Sequence, residues 1–336
     1  MKTSKRNTQP VVSRKLIALA AIGLLCSVMS AVAQEVSAHH HADSESSIAQ
    51  TNTQQKQDWA RAQLAKSPRH QEWVDVKYGN RTVKSFVVYP QVKQKATAVI
   101  VIHEIFGMSD WVQALTDEVA EAGYIAIAPD LLSGMGPNGG GTEELAASNS
   151  VGQAIAKLPP DQITSDLNAV ADYVSKLPAA NGKVAVTGYC WGGGQSFRFA
   201  TNRPGIKAAF VFYGPPPTVA NGNDIDKDAL ARIKAPVYGF YAGTDMRIGA
   251  TVPQTIEAMK ELKKFFDPVT YEGAGHGFMR LGEPNNPEPK PPVEKGDAAA
   301  DKKAADDYQK ALTDYKANRK ARDEAWIKWK AILAKL

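Results

Sequence analysis

Cys190 carries the strongest chemical signal in the sequence because of the residues on either side of it. The segment 188–194 reads Gly-Tyr-Cys-Trp-Gly-Gly-Gly, after an apolar, β-prone run at 184–187 and before a helical pattern at 195–201. A strand, G-x-C-x-G and a helix form the pattern of a nucleophile elbow, with cysteine where serine is more usual. The small residues let strand and helix approach closely around a strained turn. The pattern predicts a nucleophilic thiol; an ordinary glycine-rich turn with a buried cysteine is the alternative.

A nucleophile of this kind needs a base, and the base needs an acid to orient it. Asp245 follows an apolar run, and His276 lies among three glycines after the next such run. The chain order of nucleophile, acid and base, each just past a strand, predicts a triad at the edge of a sheet. Taken alone, Asp245 is better explained as a turn residue than as a catalyst. Among the other histidines, only His103 competes with His276 as the base.

An oxyanion hole for this nucleophile requires two N–H donors. The first is expected from the backbone of Trp191, directly after Cys190. The second is expected from the loop 103–107, which follows a fully apolar run at 96–102. Backbone donors impose no side-chain requirement, so the prediction of Ile105 within that loop depends on its position alone.

The distribution of charge argues against nucleic acid as a partner. The chain has 336 residues, with 40 Lys and Arg against 35 Asp and Glu. Five of the basic residues and none of the acidic ones lie in the first 33 positions, which leaves 35 of each sign in the remainder. We therefore expect no binding to nucleic acid or to a charged membrane surface.

Residues 1–33 have the three parts of a secretory signal peptide: a basic start, an apolar run at 16–32 and Ala-Val-Ala at 31–33. A transmembrane anchor is the competing interpretation, although the run is short and rich in small residues. Cleavage after Ala33 predicts a periplasmic or secreted protein with no stable membrane anchor. Cys26 would leave with the peptide, so the mature chain would hold Cys190 as its single thiol and no internal disulfide.

Apolar runs alternate with helical patterns through most of the chain, which predicts an α/β fold. Continuous apolar runs suit strands that are buried on both faces of a mostly parallel twisted sheet, with helices on both sides. The pair 73–78 and 82–89, around a turn at Gly79, predicts an N-terminal hairpin. The predicted organisation is a signal peptide at 1–33, a disordered linker and short helix at 34–66, the α/β domain at 67–282, a proline-rich segment at 283–298 and an extended C-terminal helical segment at 299–336.

Five motifs occur in an order that is similar to that of a known family. The chain resembles the dienelactone hydrolase family (carboxymethylenebutenolidase-like), a branch of the α/β-hydrolases with a cysteine nucleophile, over roughly residues 72–282. The motifs are H-E-I-F-G at 103–107, A-P-D-L at 128–131, G-Y-C-W-G-G at 188–193, G-T-D at 243–245 and G-H-G-F at 275–278.

The resemblance implies an α/β-hydrolase fold and a triad of Cys190, His276 and Asp245 with Glu104 beside it. In that family the glutamate holds the resting thiol protonated until the substrate displaces it. The family clamps a substrate carboxylate with two arginines. Arg280, four residues after His276, matches one of them, whereas residues 132–136 contain no arginine to match the other. Tyr213 is expected to line the substrate pocket.

These observations together predict a hydrolase that cleaves a carboxylic ester or lactone through a thioester. We expect no metal and no organic cofactor, a small-molecule substrate and a monomer. Three alternatives stay open: a general carboxylesterase with a different substrate range, which the missing arginine favours, a thiol-redox protein that uses Cys190, and a non-catalytic binding domain on the same fold.

Overall fold

An eight-stranded sheet forms the centre of the computed structural model, which describes residues 57–220 and 222–336. Strand β2 is antiparallel to β1 and to β4, and the remaining neighbours are parallel. The spatial order is β1-β2-β4-β3-β5-β6-β7-β8. The mostly parallel sheet and the opening hairpin are as the sequence predicts. The strands are β1 Gln71–Tyr78, β2 Arg81–Val88, β3 Ala96–Ile102, β4 Ile125–Pro129, β5 Ala180–Tyr189, β6 Ala209–Phe212, β7 Val237–Ala242 and β8 Phe266–Tyr271.

Helices cover both faces of this sheet. Apolar side chains of α5, α6 and α9 are buried against one face, and those of α2 and α11 against the other. Strands β3 and β4 are buried along their whole length, which explains why they are apolar without alternation. The helices are α1 Asp58–Ala65, α2 Asp110–Glu121, α3 Thr142–Ala147, α4 Val151–Lys157, α5 Pro160–Ser175, α6 Trp191–Asn202, α7 Lys227–Ala231, α8 Met246–Gly249, α9 Val252–Glu261, α10 Phe278–Leu281 and α11 Ala298–Leu333.

Helix α11 packs on the sheet through apolar residues at helical spacing. Trp329 is fully buried and stacks on Trp326 with ring centroids 4.5 Å apart. The Trp329 ring also lies 5.7 Å from that of Phe210 in β6. Leu333 is buried and Ile332 partly so. The C-terminal helical segment therefore contributes to the hydrophobic core on this face of the sheet.

Five short helices were not predicted: α3, α4, α7, α8 and α10. They have four to seven residues, which is too short for helical periodicity to stand out. Local caps help to form two of them, because Asp226 accepts a hydrogen bond from the N–H of Ala229 and Asp245 one from that of Ile248.

The described part of the chain begins shortly before α1. Ala60 in this helix is fully buried, so the end of the predicted linker packs on the domain. The predicted signal peptide and the predicted disorder at 34–56 lie outside the described residues. Within residues 57–220 and 222–336, no helix is both long and apolar enough to cross a membrane.

Candidate active site

Cys190 lies in a sharp turn between β5 and α6. Its φ of 56° is in the left-handed region, which a residue with a side chain rarely adopts. A Cβ on Gly188 would lie 1.9 Å from the carbonyl oxygen of Gly192, and one on Gly192 would lie 2.3 Å from that of His103. The two glycines are therefore required by close backbone contact. The N–H of Cys190 donates to the carbonyl of Phe212 at 3.0 Å, which fixes the turn to β6.

His276 and Asp245 lie together, as their predicted roles require. The imidazole Nδ1 is 2.5 Å from Oδ2 of Asp245, and the Asp245 side chain is 8% exposed. The other carboxylate oxygen, Oδ1, accepts a hydrogen bond from the N–H of Ile248 at the start of α8. Asp245 therefore serves as a helix cap and as the partner of His276, so both explanations of this residue apply.

The thiol of Cys190 faces the two predicted backbone donors. The backbone N–H groups of Trp191 and Ile105 lie close enough to lower its pKa. Burial, followed by the negative charge of Glu104, outweighs this effect and raises the pKa of Cys190 to about 12. Among the described residues, no hydrogen bond joins the thiol to His276. The resting group is therefore a protonated thiol at neutral pH.

Glu104 is buried, with 1% of the residue exposed, so it does not lie on the protein surface. Its Oε2 lies 3.3 Å from Nε of Arg280, close enough for an ion pair. Burial raises the pKa of Glu104, while the charges of Arg280 and His276 lower it. The guanidinium of Arg280 also lies over the ring of Phe106, 5.0 Å from its centroid.

Several buried polar atoms around this pair have no hydrogen-bond partner among the described residues. They are Oε2 of Glu104, Nε and NH1 of Arg280, and the hydroxyl of Tyr213. Buried polar atoms are rarely left unpaired in a folded protein. Since Oε2 of Glu104 and Nε of Arg280 face each other at 3.3 Å, NH1 of Arg280 and the hydroxyl of Tyr213 are the two of these atoms without a partner among the described residues.

Tyr213 directly follows β6 and is fully buried. Its φ of 39° is again in the left-handed region, a conformation that is costly for an aromatic residue. Its ring meets that of His276 edge-on, with centroids 5.0 Å apart. Burial, Glu104 and other neighbours raise the pKa of Tyr213 well above its ordinary value. This residue therefore stays protonated beside the imidazole and the buried acid.

His103, the other candidate base, is occupied by the backbone. Its Nδ1 donates to the carbonyl of Glu104 at 2.8 Å, and its Nε2 accepts from the N–H of Leu131. Burial lowers the pKa of His103, and its ring stacks on that of Trp191. It is a neutral histidine that supports the loop 103–107.

Sequence reasoning missed Arg247, whose positive charge lowers the pKa of Cys190. The residue is exposed in α8, two positions after Asp245. A basic residue two positions after the predicted acid was the available signal. Residues 57–220 and 222–336 contain no group of three or more His, Cys, Asp or Glu side chains arranged to hold a metal ion.

The strand order and the turn at Cys190 define the α/β-hydrolase class. A dienelactone hydrolase structure from Klebsiella pneumoniae, provisionally named as such, superposes with a TM-score of 0.61 at 22% identity. The match covers 80% of this chain and 99% of that one. A dienelactone hydrolase-like promiscuous phosphotriesterase from metagenomic libraries superposes at 0.53 with 19% identity, over 73% of this chain and 97% of that one. These likenesses establish the fold.

The chain belongs to the dienelactone hydrolase family, whose model matches residues 83–333. A provisionally named carboxymethylenebutenolidase of Methylorubrum extorquens is 32% identical over 54% of this chain and 62% of its own length. A similarly named protein of Escherichia coli K12 is 32% identical over 54% of this chain and 66% of its own length. The chain thus spans somewhat less than two thirds of these two relatives.

Proposed function

We propose that this protein hydrolyses a carboxylic ester or lactone through a thioester on Cys190. The sulfur attacks the carbonyl carbon, and His276 takes the thiol proton. The C–O bond to the leaving alcohol then breaks as the imidazole protonates that oxygen. Water attacks the thioester, His276 accepts a proton from it, and the carboxylic acid leaves as the thiol is restored.

The position of the Cys190 thiol is the main observation that supports this proposal. A sulfur held against the N–H groups of Trp191 and Ile105 has two donors within reach of the oxygen that becomes negative during attack. The Asp245 carboxylate beside His276 Nδ1 supports a basic Nε2 and stabilises the imidazolium.

The raised pKa of Cys190 supports activation by the substrate. A thiol with a pKa of about 12 is almost wholly protonated at neutral pH, and the thiolate is the nucleophile. We infer that substrate displaces the Glu104 carboxylate, which removes one cause of the high pKa. Such a resting state disfavours a thiol-redox function, since redox cysteines have lowered pKa values.

Arg280 is the side chain that we propose for an acidic substrate. Its Nε pairs with Glu104 at 3.3 Å, but its buried NH1 has no hydrogen-bond partner in the described residues. A charge-assisted contact with a carboxylate is worth about 1.5–3 kcal/mol. Residues 132–136 lack the second clamp arginine, and this favours a general carboxylesterase as the second candidate. An assay of esters with and without a free carboxylate, in wild type and in Arg280→Ala, distinguishes these two candidates. If Arg280 binds the carboxylate, the substitution lowers the turnover of the acidic esters only.

Turnover of p-nitrophenyl acetate tests the proposed chemistry. We expect hydrolysis by the wild type, and a loss of about 10³-fold or more in Cys190→Ala and in His276→Ala. The matched control is His70→Ala, an exposed histidine before β1, which keeps full activity. Unchanged turnover in Cys190→Ala and His276→Ala would rule out the triad, whereas no turnover by the wild type would leave a binding domain as the remaining candidate.

We also propose export with cleavage after Ala33, which gives a periplasmic or secreted enzyme. The intact mass of the protein recovered from the periplasm or medium tests this, and an uncleaved N-terminus would contradict it.

A further inference from the structure

Helix α11 contacts the loop that carries His276. The side-chain oxygen Oδ1 of Asn318 accepts a 2.8 Å hydrogen bond from the N–H of Gly275, the residue directly before His276. Asn318 is 6% exposed. Its backbone carbonyl packs so tightly on Gly282 that a Cβ there would come within 2.2 Å of the carbonyl oxygen. The helix therefore holds the chain before and after His276.

An ion-pair cluster fixes the same helix one turn further along. Arg322 lies 2.5 Å from Glu283, which follows α10, and 2.7 Å from Glu118 of α2. Arg322 and Glu283 are each about 4% exposed, so water screens this ion pair little. Because α10 follows the loop of His276 directly, the end of that loop is tied to α11 and to α2.

The loop of His276 is also held from the side of Asp245. It connects β8 with α10, and Gly273 and Gly277 have φ values of 72° and 80°, which glycine adopts without strain. The carbonyl of Ala274 accepts hydrogen bonds from the N–H and hydroxyl of Thr244 at 3.0 and 2.9 Å. Asp245 binds the His276 ring, whereas Asn318 binds the backbone next to it.

We propose that Asn318 is a positioning residue for His276, and that α11 places the base of the reaction relative to Cys190. The inference builds on the proposed triad. Asn318 touches neither substrate nor reacting atoms; it acts through the Gly275 N–H. A general base must lie within hydrogen-bonding reach of its proton, and a displacement of about 1 Å can cost about 10²-fold in rate.

Three variants separate this role from a general stabilising one. Asn318→Leu keeps the approximate size but removes the acceptor, and Asn318→Asp keeps an acceptor oxygen at the same distance. Tyr315→Phe is the matched control, because Tyr315 also bonds from α11 to a loop carbonyl, that of Asn286 at 3.2 Å, away from His276. If Asn318→Leu does not fold, Asn318→Ser, too short to reach Gly275, takes its place.

Each full-length variant is assayed with p-nitrophenyl acetate well below its melting temperature, at the plateau of its pH–rate profile. We expect kcat of Asn318→Leu to fall about 10- to 100-fold with KM changed by less than about twofold. Asn318→Asp and Tyr315→Phe keep kcat within about threefold of wild type. Wild-type kcat in Asn318→Leu, or an equal fall in Tyr315→Phe, would overturn the inference.

Proton NMR gives a readout that does not depend on turnover. The proton shared by His276 Nδ1 and Asp245 should give a low-field signal in the wild type and in Asn318→Asp. This signal should broaden or vanish in Asn318→Leu. An unchanged signal in Asn318→Leu would contradict the inference. If the wild type has no esterase activity, the proposed function fails, and the NMR signal still decides whether Asn318 positions the imidazole.

Discussion

Cys190 combines a strained backbone with a thiol that resists ionisation. Its φ of 56° was foreseeable from Gly188 and Gly192 in the sequence, because only residues without a Cβ fit on either side of such a turn. The protonated state was not foreseeable from the turn itself, since it depends on burial and on the distance to Glu104, which comes from another strand.

Removing the charge of Glu104 should make Cys190 more reactive. Burial comes first and the Glu104 charge second among the causes that raise the pKa of Cys190 to about 12. Glu104→Gln therefore lowers that pKa, and a drop of one unit increases the thiolate fraction at pH 8 about tenfold. Iodoacetamide alkylation of Cys190, followed by peptide mass spectrometry, measures this. Glu272→Gln, an exposed carboxylate after β8, serves as the control and should label like wild type; slower labelling of Glu104→Gln would contradict the electrostatic account.

Among the secondary-structure elements, α11 has a buried side with an apolar half and a polar half along its length. The apolar residues were recognisable from helical spacing, whereas Asn318 and Arg322 were overlooked, although they continue the stripe of Ala325 and Trp329 at intervals of three and four residues. A polar residue in line with an apolar stripe was the available signal. The partners of these residues are distant in the chain, so their roles required the tertiary structure.

Docking of α11 should depend on Trp329. It is fully buried, with its ring next to those of Trp326 and Phe210. Trp329→Ala removes these contacts and leaves a cavity, so we expect a loss of about 3–5 kcal/mol in the free energy of unfolding. Urea denaturation measures this. Ile327→Ala, at a side chain that is 66% exposed on the same helix, should change it by less than about 0.5 kcal/mol. Equal effects of the two substitutions would contradict the docked arrangement.

The ion-pair cluster on α11 should make stability depend on pH. Burial and the charge of Glu118 raise the pKa of Glu283 from 4.5 to about 7, against the opposing effect of Arg322. Between these values the folded state binds more protons than the unfolded state, so this group lowers stability as the pH rises from about 4.5 to 7. The difference in melting temperature between Glu283→Gln and wild type should therefore be more positive at pH 8 than at pH 5. The exposed Glu257→Gln should show no such gain, and an equal difference at both pH values would show that Glu283 titrates normally.

In the whole molecule, the site residues follow the ends of five strands of the sheet. The consecutive neighbours β3, β5, β6, β7 and β8 end next to Glu104, Cys190, Tyr213, Asp245 and His276, respectively. The alternation of apolar runs and helical patterns predicted that these ends share one edge. The order of the strands was not readable from the sequence, because strand order depends on long-range packing rather than on local pattern.

The central claim is that Cys190 forms a thioester with the acyl group of the substrate. Acid quenching of the full-length enzyme during turnover of p-nitrophenyl acetate, followed by peptide mass spectrometry, tests this most directly. We predict an acetyl group on the peptide that contains Cys190, absent from Cys190→Ala, and removed by hydroxylamine as a thioester would be. Turnover at the wild-type rate without acylation of Cys190 would contradict the account.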